Sequence, residues 1–141
     1  MPYRRATIRP YRQEDERLLF SLARESFGER SSWSDAQTLV ALETDTVFVA
    51  ELDQTPAGYV AVEREGDAVR IEQLFVSLLH EGEGVGRQLL DYAEGFAISE
   101  AAARLEVVVE EDNQRALGFY RGRGFVPAGG DLYELILPLA P

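Results

Sequence analysis

The chain has no cysteine and no lysine, and only one histidine, one methionine and one tryptophan among its 141 residues. Without cysteine there is no disulfide frame, no thiol nucleophile and no thiolate metal ligand. With a single histidine as well, a zinc site would have to be assembled mostly from carboxylates, so no metal is expected. No apolar run approaches the ~20 residues that a membrane-spanning helix needs. The opening "MPYRRATIRPY" is basic but no apolar stretch follows it, so it does not read as a signal peptide. A cytoplasmic protein with no membrane partner is the expectation. Positive charge is also scarce: 14 arginines face 25 Asp and Glu residues, for a net charge of −11. Affinity for a phosphate backbone comes from Lys and Arg, which argues against nucleic acid as the main partner. The acidic surplus suits a cationic substrate such as an amine, or serves solubility alone.

What is present is enough apolar material, 45% of the residues, to bury a core in one domain over residues 1–141. Residues 5–11, "RATIRPY", predict a short strand. "RQEDERLLFSLARESF" predicts a helix with Leu18, Leu19, Leu22, Ala23 and Phe27 on one face. "SSWSDAQTLVALE" predicts a second helix with Ser34 as N-cap. "DTVFVAELD", "PAGYVAVERE" and "GDAVRIEQLFVS" predict strands joined by turns near Gln54–Pro56 and Glu65–Asp67. A long helix is expected from Val85 to about Ala102, burying Val85, Leu89, Tyr92, Ala93 and Phe96. "RLEVVVE" reads as a strand of the sheet interior. "DNQRALGFYRGRGF" reads as a short helix ending at Gly122 and Gly124, and "DLYELILPL" as a last strand. The expected order is β-α-α-β-β-β-α-β-α-β. It implies an α/β (α+β) fold: a mixed, mostly antiparallel sheet of six to seven strands with helices on both faces.

The most informative stretch is "HEGEGVGRQLL", where Gly82, Gly84 and Gly86 alternate directly before the long helix. The first main-chain N–H groups of a helix have no internal partner and carry roughly half a positive charge together. Glycines let the loop curl so that these donors converge on an anion. A dinucleotide fingerprint would need a third glycine where Leu89 stands, and a triphosphate loop would need Gly-Lys-Ser/Thr where Arg87 follows Gly86. A nucleotide or flavin site is therefore disfavoured.

"LFVSLLHEGEGVGRQLLDYAE" resembles the acetyl-CoA signature of the GNAT superfamily of N-acetyltransferases, with its glycine pattern at Gly84 and Gly86. "NQRALGFYRGRGF" is similar to the family's second motif, with Asn113, Ala116, Phe119, Tyr120, Gly124 and Phe125 in place. "TIRPYRQED" resembles the family's first strand and helix start. The resemblance implies acetyl transfer from acetyl-CoA to a primary amine by direct attack in a ternary complex, on a small-molecule or peptide acceptor. It implies a cofactor site over Leu74, Phe75, Val76, Glu81, Gly82, Glu83, Gly84, Val85, Gly86, Arg87, Asn113, Ala116, Phe119 and Tyr120. The main chain of residues 74–76 would pair with the pantetheine arm like an added strand, and a main-chain N–H there would polarise the thioester carbonyl.

Two proton roles follow from the chemistry. A protonated alkylamine, pKa ~10, must lose a proton before it attacks, and Glu72 is the candidate base; an exposed or Arg-paired Glu72 is the alternative. A leaving thiolate departs more readily beside a phenol, and the family's tyrosine falls on Tyr120; the alternative is a packing role beside Phe119 and Phe125. Asn113 is an N-cap, a partner of the CoA arm, or both. Arg121 and Arg123 would meet phosphates or cap a solvated helix end. His80 reads as a loop residue, and Trp33 with Phe27 as core or acceptor wall. The chain departs from the family at Glu81, where Arg or Gln is usual, and at Glu83, often basic in relatives. Two carboxylates beside a diphosphate imply a weakened site, partly offset by Arg87, or a CoA-binding module with little catalysis. Relatives imply a monomer or homodimer.

Overall fold

The computed structural model describes residues 3–27, 42, 46–110, 112–128 and 131–139. Seven strands and three α-helices lie among them. They are β1 (Thr7–Pro10), α1 (Glu16–Phe27), β2 (Thr46–Leu52), β3 (Thr55–Glu65), β4 (Ala68–Val76), α2 (Val85–Ser99), β5 (Arg104–Val108), α3 (Gln114–Gly122), β6 (Val126–Ala128) and β7 (Asp131–Pro138). The strands form one sheet in the order β1-β2-β3-β4-β5-β7-β6. The β4–β5 pair is parallel, and β1–β2, β2–β3, β5–β7 and β6–β7 are antiparallel. The sheet is therefore mixed and mostly antiparallel, as the sequence predicts. The second predicted helix, with Ser34 and Trp33, lies outside the described residues apart from Leu42, as does the side chain of Phe27.

The chain divides into two compact units: Met1–Val62 with Gln73–Ala93, and Glu63–Glu72 with Glu94–Pro141. In the first unit the strand alternation sorts side chains to two helices. Val47, Val49, Tyr59 and Ala61 form a cluster with Leu19 and Leu22 of α1. On the opposite face of β2, Phe48 meets Tyr92 of α2 with the rings tilted by 59° and their centroids 4.7 Å apart. Glycine is required at position 58, because a Cβ there would stand 2.6 Å from the Phe75 carbonyl oxygen and 3.2 Å from Leu89 Cδ1. The two strands and α2 thus approach more closely there than any side chain permits.

The expected helix face needs correction at two positions. Leu18 is 47% exposed while Leu19, Leu22 and Ala23 are buried. Tyr92 is 41% exposed, lying along Phe48 at the rim of the α2 interface rather than beneath it. The first turn of the predicted first helix is instead a separate 3-10 turn, Gln13–Asp15. There the Asp15 carboxylate accepts from the Arg12 N–H at 2.8 Å, and Arg9 grips it through two nitrogens at 2.8 and 2.7 Å.

In the second unit, β5 sits between β4 and β7, burying Leu105 and Val107. Its alternation ends with Val108 exposed, so the run of valines is not buried throughout. Helix α2 closes three residues short of the expected end. Ala102 N–H donates to the Ala97 carbonyl and Ala101 N–H to that of Ile98, with Ala101 at φ +55°. This is the Schellman closure, with alanine in the left-handed position that glycine usually takes.

Candidate functional site

The Ser77 hydroxyl accepts from Leu79 N–H at 3.3 Å and starts the 3-10 turn Leu78–His80 that leads into the glycine loop. Gly82 and Gly84 follow at φ +78° and +87°, a region that costs other L-residues roughly 1–2 kcal/mol. Helix α2 then begins at Val85. The main-chain N–H groups of Gly82, Gly84, Val85, Gly86 and Arg87 meet no acceptor among the described residues. Gln88 N–H is the first to close on the loop, reaching the Gly84 carbonyl at 3.2 Å. A run of donors at a helix N-terminus, with the helix dipole behind it, suits an anion.

The carboxylate of Glu83 does not fill that run. It lies 3.3 Å from His80 Nδ1 and 3.5 Å from Arg4 Nη1, and its side chain is only 13% exposed. Its carbonyl accepts the Arg4 N–H at 2.9 Å. The sequence reading treated Glu83 as a repulsive neighbour of the anion; the fold supplies Arg4 as its counter-charge. Glu81 is exposed. Arg87 is exposed too, in the first turn of α2, and forms no ion pair among the described residues.

Strand β4 passes through this region. Its register with β5 runs from Ala68↔Arg104 to Ile71↔Val107, and β4 continues to Val76 beyond it. Leu74, Phe75 and Val76 are half-buried on that continuation. Phe75 meets Tyr59 edge-on at 5.4 Å, and Gln73, 2% exposed, accepts from the Tyr59 hydroxyl at 2.6 Å. Burial pushes the Tyr59 phenol up, so it stays a donor. Glu72 is half-buried, on the opposite strand face from Gln73.

In the second unit, Asn113 caps α3 by accepting the Ala116 N–H at 3.1 Å, which secures its N-cap role. Tyr120 is 7% exposed, set edge-on to Phe119 and Phe125 with centroids 5.1 and 5.3 Å away. Burial pushes its phenol above the ordinary value, so it is protonated at neutral pH. Its hydroxyl bonds to none of the described residues. Arg123 is tied to Glu94 at 3.1 Å, whereas Arg121 is exposed. Sequence reasoning passed over Gly58, Gln73, Gln88 and Arg4. Only the glycine had a visible signal, an isolated Gly inside a strand pattern.

Fold and loop together define one architecture: a mixed sheet with a glycine-capped helix after its fourth strand. The sequence matches the Acetyltransferase (GNAT) family over residues 9–125, and the chain belongs to that family. It is 32% identical over 111 residues to a streptothricin acetyltransferase of Streptomyces lavendulae, covering 76% of this chain and 54% of that one. It is 35% identical over 69 residues to a mycothiol acetyltransferase of Jonesia denitrificans, covering 49% of this chain and 22% of that one. The chain therefore spans about half the length, or less, of these relatives. Its fold matches the PaiA N-acetyltransferase of Thermoplasma acidophilum, solved in complex with coenzyme A. That match has a TM-score of 0.79 at 21% identity, over 94% of this chain and 97% of that one. No helix among the described residues is long and apolar enough to cross a membrane.

Proposed function

We propose that this protein moves the acetyl group of acetyl-CoA to a primary amine, in a ternary complex and without a covalent enzyme intermediate. The observation that carries this is the loop at residues 82–87. The main-chain donors of Gly82, Gly84, Val85, Gly86 and Arg87 are unspent, and the Glu83 carboxylate already lies against Arg4 and His80. That arrangement fits a diphosphate, and the CoA complex of the Thermoplasma acidophilum relative supports the same ligand here. Acetyl-CoA supplies an activated thioester.

In this reading the main chain of Leu74, Phe75 and Val76 pairs with the pantetheine arm, on the length of β4 that runs past its register with β5. A main-chain N–H of that segment stabilises the oxyanion as the amine nitrogen bonds to the thioester carbon. Glu72 takes the proton that the ammonium must lose. The C–S bond breaks, the Tyr120 hydroxyl delivers a proton to the leaving sulfur, and the second proton of the attacking nitrogen returns to the tyrosine as the amide forms. Asn113 and Ala116 hold the start of α3, and Phe119 packs beside Tyr120. A small-molecule or peptide amine is the acceptor class.

The test is release of free CoA thiol from acetyl-CoA across a panel of amines. Tyr120→Phe is expected to slow release by about tenfold or more with CoA affinity unchanged. Saturable CoA binding with no thiol released on any amine would leave a binding module and remove the transferase.

A further inference from the structure

Residues 3–6 lie against the glycine loop, and one side chain makes most of the joint. Gln88, one turn into α2, donates through Nε2 to the Arg4 carbonyl at 2.7 Å and to the Gly84 carbonyl at 3.1 Å. Its Oε1 accepts the Ala6 N–H at 2.9 Å. A single carboxamide thus joins the N-terminal segment to the middle glycine of the loop. Three further interactions close the joint. Arg4 N–H donates to the Glu83 carbonyl, the Arg4 guanidinium pairs with Glu83, and it reaches Asp53 Oδ2 at 2.7 Å. The Tyr3 ring covers Gly84 so closely that a Cβ there would fall 2.6 Å from Tyr3 Cδ2.

We propose that Gln88 is a positioning residue for CoA: it latches the segment Tyr3–Ala6 onto the glycine loop and so holds the loop's main-chain donors in their binding geometry. The proposal rests on the cofactor reading given above and adds to it a cause for loop order. Alternating glycines are the most freely moving residues a loop can have, and ordering them on binding would cost affinity. The latch spends that ordering in advance, with hydrogen bonds at Arg4, Ala6 and Gly84. It also gives Glu83 a purpose: its carbonyl and carboxylate are both anchor points for Arg4.

The test uses the full chain and three readouts. Wild type, Gln88→Met and Gln88→Glu are compared for CoA affinity by calorimetry, for KM and kcat with acetyl-CoA, and for backbone order parameters of residues 82–86 without ligand. Met keeps the length and helix propensity and loses all three bonds; Glu keeps an acceptor for Ala6 N–H and loses both donated bonds. Gln88→Met is expected to raise Kd and KM by about tenfold with kcat little changed, and to lower the order parameters of Gly82 and Gly84. Gln88→Glu is expected to weaken binding as well, and it reads the latch if the Met variant does not fold. Wild-type affinity with an equally rigid loop in either folded variant overturns the latch and leaves the cofactor reading standing. Failure of wild type itself to bind CoA removes both, and is seen before any variant is made.

Discussion

Two polar regions of the first unit make opposite use of their hydrogen-bonding groups. Around Asp15 the buried charges have met their opposites. Arg9 holds the carboxylate with two nitrogens and lies 3.2 Å from Glu51, and both side chains are nearly buried, at 12% and 5% exposure. At the glycine loop, the main-chain donors of Gly82, Gly84, Val85, Gly86 and Arg87 meet no acceptor among the described residues, while Glu83 N–H turns back to the His80 carbonyl. Paired groups in the interior fasten elements together; here they tie β1 to β2 and to the turn before α1. Donors left open at a helix start are met by water or by an anion that arrives from outside.

Breaking the paired side should show the largest effect. Asp15→Asn leaves Arg9 facing only Glu51 and is expected to cost about 3 kcal/mol of stability, with CoA affinity unchanged, by denaturant unfolding and calorimetry. The hydrogen bonds from Arg9 hold the Asp15 carboxyl below its ordinary value. The unfolded state therefore takes up the proton first. The stabilisation is complete above the ordinary Asp value, ~4, and is lost as pH falls through the lowered folded value. Unfolding curves for wild type and Asp15→Asn should converge in acid and separate toward neutral pH.

Altering the open side should move binding as well as stability. Gly84→Ala forces an L-residue to φ +87° against the Tyr3 ring. A cost of roughly 1–2 kcal/mol is expected, with CoA affinity falling by about tenfold as the loop shifts. A smaller effect is expected at Tyr59. Tyr59→Phe removes the hydrogen bond to Gln73, whose Nε2 is already buried without a partner, and should lower stability by about 1 kcal/mol. The smallest effect separates the two glutamates. Glu81→Gln removes an exposed charge near the diphosphate and is expected to tighten CoA by at most about fivefold, less at high salt. Glu83→Gln weakens the pair with Arg4 and is expected to bring no tightening.

The sequence displayed the parts of this molecule that depend on near neighbours along the chain. Alternating glycines before an amphipathic run located the loop, and the strand and helix periods indicated six of the seven strands and the mixed sheet but not the three-residue β6. Asn113 was legible as a cap because its partner, Ala116, is three residues on. What could not be read depends on chain segments meeting in space. Glu83 looks repulsive until Arg4 is brought beside it, and Gln88 looks like an ordinary helix residue until it faces Arg4 and Ala6. Leu18 belongs to the apolar stripe by spacing, but the cluster reaches only Leu19 and Leu22. Burial of the Tyr120 phenol, which keeps its proton in place, likewise follows from Phe119 and Phe125 closing around it.

The central claim is that main-chain donors at residues 82–87 grip the diphosphate of CoA, and titrating isotope-labelled protein with CoA while following its amide resonances tests it most directly. The account predicts that the amide signals of Gly82, Gly84, Val85, Gly86 and Arg87 move together and saturate at one dissociation constant. If those signals stay in place while CoA binds elsewhere, or if nothing moves even at millimolar ligand, the account is wrong.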